Sequence, residues 1–247
     1  MSGIGLLNEG PLHAALKAWY AQPGDRFEVA VEGFVIDIVR GDLLLEIQTG
    51  NAGSIKSKLA RLVRSHRLRL ICPIATEKWI ARKAKNGRGR VARRKSPKRG
   101  RVEDLFSEVV GIPQLLSHPN LSLEVVMIRE EEARRYVGKR RWRSGGWGIE
   151  ERRLLEVVEQ RRFEQPSDWL ALLPPGLESF TASELAEAMG ARTELAQKMA
   201  YCLRHMGIVE WVGKQGRENL YRADAGPGAG RASGPSARTR DGAGSTR

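Results

Sequence analysis

The sequence predicts a mixed α/β chain of the α+β kind, with an αβββαβ core followed by a smaller unit of helices and a hairpin. Three observations predict it. Residues 27–49 alternate as three short strands around the turns Glu32-Gly33 and Gly41-Asp42. Helical spacing flanks that meander on both sides. Residues 149–223 then change to helix signals closed by a glycine-flanked hairpin.

Residues 9–21 predict the first helix, with Pro11 in its first turn and Leu12, Ala15, Leu16 and Trp19 as its apolar stripe. In the second strand Phe34, Ile36 and Ile38 oppose Val35, Asp37 and Val39. In the third, Leu43, Leu45 and Ile47 oppose Leu44, Glu46 and Gln48. Both faces are apolar, so the sheet should be covered on both sides. Ser54 is placed to cap a helix over 54–65, and LRLICPI follows as a strand, at an edge if Pro73 is to be tolerated. A short helix over 102–110 and a strand LSLEVVMI complete the core.

These signals divide the chain into a core over 1–81, a basic insertion over 82–101 expected to be disordered or loosely held, and the remainder of the core with a linker over 102–148. A second domain over 149–223 and a flexible, Gly/Ala/Ser/Arg-rich tail over 224–247 follow. Within the second domain, residues 149–163 read as a helix and Pro166–Leu172 as a short one. Thr181-Ala182-Ser183-Glu184 is a capping box opening a helix that Gly190 stops, and a long helix spans Thr193–Met206. Strands at 208–212 and 219–222 close around Lys214 and Arg217. Two helices followed by a hairpin with a basic tip form the winged-helix pattern.

The formal charge of +13 is concentrated: residues 76–101 alone carry a net +11. Such a stretch fits a polyanionic partner through counterion release, with DNA the partner expected; a solvated linker or an RNA-binding arm is the competing reading. Arg88, Arg90, Arg93, Arg94 and Lys95 are its candidate phosphate contacts. In the winged-helix pattern the candidates are Lys198 and Arg204 on the long helix and Lys214 and Arg217 at the wing tip. Trp142, among Lys139, Arg140, Arg141 and Arg143, is placed either to stack on a base or to anchor its segment. The two cysteines, Cys72 and Cys202, sit in separate apolar segments and read as buried thiols. No apolar run approaches a membrane span and the start lacks a signal-peptide pattern, so a cytoplasmic protein without membrane partners is expected.

Asp37 and Glu46 face the same way on adjacent strands, so their carboxylates converge. Two such charges repel unless a divalent cation lies between them, and Mg²⁺ (or Mn²⁺) suits a site with one or two carboxylates. Gln48 shares the face and could orient a water. Asp42 competes as an acid but stands at a Gly-Asp turn. An ordinary buried Asp satisfied by backbone groups is the alternative for Asp37.

A helix, a meander with Asp in its second strand and an acid-x-Lys-like triplet in its third, then a helix and a strand, resembles the PD-(D/E)XK nuclease superfamily over roughly residues 5–80. Asp37 matches the motif Asp, and Glu46 the acid of the triplet Glu46-Ile47-Gln48. Gln48 stands where Lys is usual, and Ile36 where Pro is usual. Lys56 or Lys58 on the next helix could replace the missing Lys. Glu9 matches the acid that many members carry on the first helix. The resemblance implies a restriction-endonuclease-like core in which Glu9, Asp37 and Glu46 hold the metal and the chain cuts DNA. For a double-strand cut it further implies a homodimer. The alternative is a catalytically inactive nuclease fold that binds DNA or regulates. His13, one turn from Glu9, could join the site, although helix packing is its commoner role.

Overall fold

The structure, a computed structural model, describes residues 10–82, 92–138 and 145–223. Glu9, Arg88, Arg90, the Trp142 segment and the tail lie outside the described residues.

The architecture is α+β, built on a large mixed sheet. α1 (Pro11–Tyr20) starts on Pro11 and buries Leu12, Leu16 and Tyr20, spaced at i, i+4 and i+8. Trp19, expected inward, is instead 47% exposed, because Tyr20 continues the stripe. The meander follows as β1 (Arg26–Val31), β2 (Phe34–Arg40) and β3 (Leu43–Ile47). A 3-10 turn (Ala52–Ile55) and α2 (Lys56–Leu62) lead into β4 (Arg67–Arg82). β5 (Ala92–Lys95), a 3-10 turn (Val102–Asp104) and α3 (Leu105–Val109) precede β6 (Leu121–Tyr136) and β7 (Trp147–Phe163).

The strand order is β1-β2-β3-β4-β6-β7, with β5 also on β4. β3, β4 and β6 run parallel, and β7 returns antiparallel. α1 covers one face over Ile38, Leu45, Ile47, Ile71, Val126 and Ile128. The other face packs Val39, Leu44, Leu70, Cys72 and Val125 under α2, α3 and the C-terminal helices. Both faces are therefore covered, as the double apolar pattern predicts.

Four further expectations are corrected. β4 is central rather than an edge strand. Pro73 is tolerated because β3 ends opposite Ile71 and β5 pairs only from Trp79, so the missing N–H falls in a gap of the ladder. Ser54 does not cap α2; the Asn51 side chain accepts from Gly53 N at 2.7 Å and the chain first makes a 3-10 turn. Residues 92–101, expected in a loose insertion, instead supply β5 and a segment whose Gly100 N donates to Ala75 O.

The largest correction is residues 149–163, expected as a helix and found as most of β7. Leu155 and Val158 have no partner in the β6 register. Each bulge adds one residue, so Leu154, Val157 and Gln160 pair with Glu130, Ile128 and Val126 and share the α1 face. Spacing of three on one face imitates a helix in the sequence.

The C-terminal unit therefore starts at α4 (Pro166–Leu170). It continues through β8 (Ser179–Thr181), α5 (Ala182–Met189), α6 (Thr193–His205), β9 (Val209–Gln215) and β10 (Glu218–Ala223). Its strands form a second sheet, β8-β10-β9. The capping box at Thr181 and Glu184 is formed, and Gly190 ends α5 with φ 56°. Thr181→Ala is expected to cost about 0.5–2 kcal/mol in urea unfolding, since it strips the cap acceptor from Glu184 N. Trp169 packs at 4.6 Å from the Phe163 ring of β7, and Arg101 donates to the Met189 and Gly190 carbonyls that end α5. These contacts fix the unit on the α2 side of the large sheet. Both cysteines are free and buried. Among the described residues no helix is long and apolar enough to cross a membrane.

Candidate active site

β2 and β3 pair only from Ile38–Leu45 to Arg40–Leu43. Beyond Ile38 they part, and the Asp37 side chain takes over: Ile47 N donates to Asp37 Oδ2 at 2.7 Å. The next amide, Gln48 N, donates to Ile71 O on β4. Strict alternation also breaks here, since Ile36 packs on the α2 side with Val39 whereas Ile38 packs under α1. Across from Asp37 the β1–β2 register skips Glu28, which has φ 53°. Asp37 thus sits where a sheet opens, reachable from both faces. From the α1 side His13 Nε2 donates to Asp37 Oδ2 at 3.2 Å.

Glu46 lies on the α2 side and is 6% exposed. Lys58 Nζ, from α2, donates both to Glu46 Oε1 and to Val35 O on β2, so it bridges the separated strands. Glu46 Oε2 is buried with no hydrogen-bond partner among the described residues. Burial first, and the Asp37 charge second, push the Glu46 carboxyl up to about 7, against the pull of Lys58 and His13. The site is one carboxylate anchored by a backbone amide and His13, and a second that is half-satisfied and reluctant to ionise.

The structure brings together Asp37, Glu46, Lys58 and His13. Gln48 is tied elsewhere: its Nε2 donates to Asn51 O and Ser54 Oγ, each at 3.1 Å, holding the turn before α2. Lys56 is exposed and is not among the groups acting on Glu46. Asp42 sits at its turn, 76% exposed, beside Arg67. Glu9 lies outside the described residues. Among the described residues no group of three or more His, Cys, Asp or Glu could hold a metal ion.

The basic candidates are dispersed. Arg93 pairs with Glu131 and Lys95 with Glu77. Hydrogen bonds from Lys95 and Arg99 pull the Glu77 carboxyl down to about 2. Arg93 and Lys95 also lie over the Trp79 ring at 5.2 and 5.0 Å. These cations stitch β5 to β4, whereas Arg94 is exposed between them. Lys198 pairs with Glu194 one turn back, and Arg204 lies 6.0 Å over Trp211. Lys214 and Arg217 are exposed at the β9–β10 turn. An open groove of about 650 Å³ runs between α6 and that turn, lined by Gln197, Lys198, Tyr201, Arg217 and, from the end of α3, Val110. The next residue, Gly111, touches the turn before α2 so closely that a Cβ on it would stand 2.9 Å from the Gly53 Cα.

A second charged feature runs along β6 and went unread in the sequence. Glu124, Glu130 and Glu132 are buried on the α1 face. Tyr20 and Arg162 donate to Glu124, Lys78 contacts Glu130 and Glu132, and Arg152 bridges Glu130 to Thr49 O. Glu124 inside the apolar run LSLEVVMI and the run Glu130-Glu131-Glu132 at its end were the available signal. It was masked because their partners on β7 lay in a segment read as a helix.

A family model described as a domain of unknown function, DUF8091, matches residues 10–164. The chain belongs to that family. The match runs from the residue before α1 to the residue after β7, so the family domain is the large sheet with α1, α2 and α3. An uncharacterized protein of Treponema pallidum (strain Nichols) is 32% identical over 227 residues, covering 90% of this chain and 88% of that protein. That likeness extends beyond the sheet into the C-terminal unit. No solved structure matches.

Proposed function

We propose that this chain is a metal-dependent nuclease of the PD-(D/E)XK kind acting on DNA, with Asp37 and Glu46 as the metal-holding acids and Lys58 in the role of the motif lysine. The observation that carries the reading is Glu46 Oε2, a buried carboxylate oxygen without a partner among the described residues and beside a second carboxylate. Buried polar atoms are almost always satisfied, and two crowded carboxylates call for a cation. Mg²⁺ fits this donor set, because it needs one or two carboxylates and completes its shell with water and substrate oxygens; Mn²⁺ would serve likewise. Once bound, it would supply charge neutralisation and a more acidic water.

The chain's own residues prepare that site. Ile47 N and His13 hold the Asp37 carboxylate in place. Lys58 fixes Glu46 through one oxygen and leaves the other for the ion. The C-terminal unit, which we read as a winged helix, lies on the same side of the sheet as Glu46. Val110 lines its groove, and the next residue, Gly111, packs on Gly53 in the turn after Gln48. On this reading DNA lies along α6 and is held by Lys214 and Arg217.

The test is plasmid and linear DNA with Mg²⁺ or Mn²⁺, run beside the Asp37→Asn/Glu46→Gln double variant, with metal-induced thermal stabilisation as a second readout. The wild type is expected to cut and to be stabilised by the metal, and the double variant to do neither. One observation favours a second reading, a nuclease fold that binds DNA without cutting: the Gln48 amide nitrogen is committed to its own turn. DNA binding with no cleavage above the double variant, at any metal or salt concentration, would establish that reading instead.

A further inference from the structure

We propose that β7 is a self-association edge, on which a second copy of this chain docks antiparallel about a two-fold axis at Glu156. β7 ends the sheet order, so its outer side has no neighbouring strand among the described residues. It is long and carries exposed apolar side chains near its middle, Leu155 and Val158 at 46% each. Soluble folds seldom leave such an edge uncovered.

The identity of the occupant follows from the charge pattern. Residues 150–162 read Glu-Glu-Arg-Arg-Leu-Leu-Glu-Val-Val-Glu-Gln-Arg-Arg. Turned antiparallel on itself about Glu156, this segment sets Glu151 opposite Arg161 and Arg153 opposite Glu159, so that the Glu151–Arg153 pair within one chain meets its counterparts on the other, while Arg162 stays with Glu124 of its own chain. Leu154 and Leu155 meet Val158 and Val157. Each charge pair occurs twice, as a two-fold interface requires.

The faces agree as well. The β6 register pairs Glu151, Arg153, Glu159 and Arg161 with Ala133, Glu131, Met127 and Val125, all odd positions of one strand face. Met127 and Val125 belong to the core on the α2 side, so all four charges lie there. A slip of one residue would oppose side chains from different faces. A slip of two would set Glu151 against Glu159, or Arg153 against Arg161. The one like-charge meeting in the proposed register is Glu156 with its copy, and each Glu156 already pairs with Arg129 of its own chain. The bulges at Leu155 and Val158 keep any backbone ladder short, so the contact rests mainly on these side chains.

The interface is independent of whether Asp37 and Glu46 cut DNA. If they do, it brings two such sites into one particle. The test is sedimentation equilibrium of the full chain at micromolar concentrations. Wild type is expected to be a dimer. Arg153→Glu and Glu159→Arg should each raise the dissociation constant at least about tenfold by opposing like charges twice. The double variant Arg153→Glu/Glu159→Arg restores the complement and should dimerise again, and the two single variants mixed should pair with each other. A monomeric wild type would overturn the proposal. So would single variants that stay dimeric, or a folded double variant that fails to recover.

Discussion

On the proposed nuclease reading, replacing Lys58 by Met is expected to lower Mg²⁺-dependent DNA cleavage by about 10²–10⁴-fold, while Lys56→Met leaves the rate unchanged. The difference rests on placement. Lys58 spans from Glu46 Oε1 to Val35 O across the opened strands, whereas Lys56, two residues earlier, is exposed. Removing the ammonium has a second consequence. Its charge is the leading influence that lowers the Glu46 carboxyl, so without it that group moves above its value of about 7. The acid limb of the pH–rate profile should therefore shift to higher pH. Lys58→Arg keeps a charge on Glu46 and is expected to leave that limb near its wild-type position, even where the rate falls. A Lys58→Met variant that cuts at the wild-type rate with an unmoved acid limb would remove Lys58 from the site.

The acid pair was legible because it depends only on local spacing. Two strands joined by a two-residue turn put Asp37 and Glu46 on neighbouring strands whatever the remainder of the chain does. What the spacing could not show was that the strands part at Ile38, so that Asp37 meets α1 and Glu46 meets α2. That opening depends on β3 turning its ladder to β4, a long-range choice. Gln48 was read as a site residue because it shares the parity of Glu46, but its amide finds Asn51 and Ser54 in the following turn, a local competitor invisible to alternation. The order of β4 and β6 was hidden for a similar reason. Pro73 argued for an edge until the lengths of β3 and β5 left it a gap. β7 was hidden by its bulges, which gave Leu154 and Val157 helical spacing. The C-terminal elements were easier, because the Thr181 capping box and the left-handed Gly190 are set by adjacent residues.

The electrostatics of Glu46 give the second expectation, a stability difference that depends on pH. A carboxyl near 4.5 in the unfolded chain and near 7 in the folded one binds more protons when folded. Its contribution to stability is then fully present below about pH 4.5 and is lost as pH rises through 7. Glu46→Gln removes that titration and keeps an acceptor for Lys58. In metal-free buffer, the unfolding free energy of Glu46→Gln minus that of wild type should therefore rise between pH 4.5 and 7, by on the order of 2–3 kcal/mol, and level off above. Subtracting the two curves cancels the other carboxylates, Asp25 and Glu77 among them, which are held down by Arg40 and by Lys95 with Arg99 and lose their stabilisation toward acid. Mg²⁺ would act in the opposite sense. Binding to the ionised pair should recover the wild-type loss above pH 7 and leave Glu46→Gln unmoved. A flat difference curve would mean that Glu46 ionises without cost and that the crowding of the two carboxylates is no reason to place a cation between them.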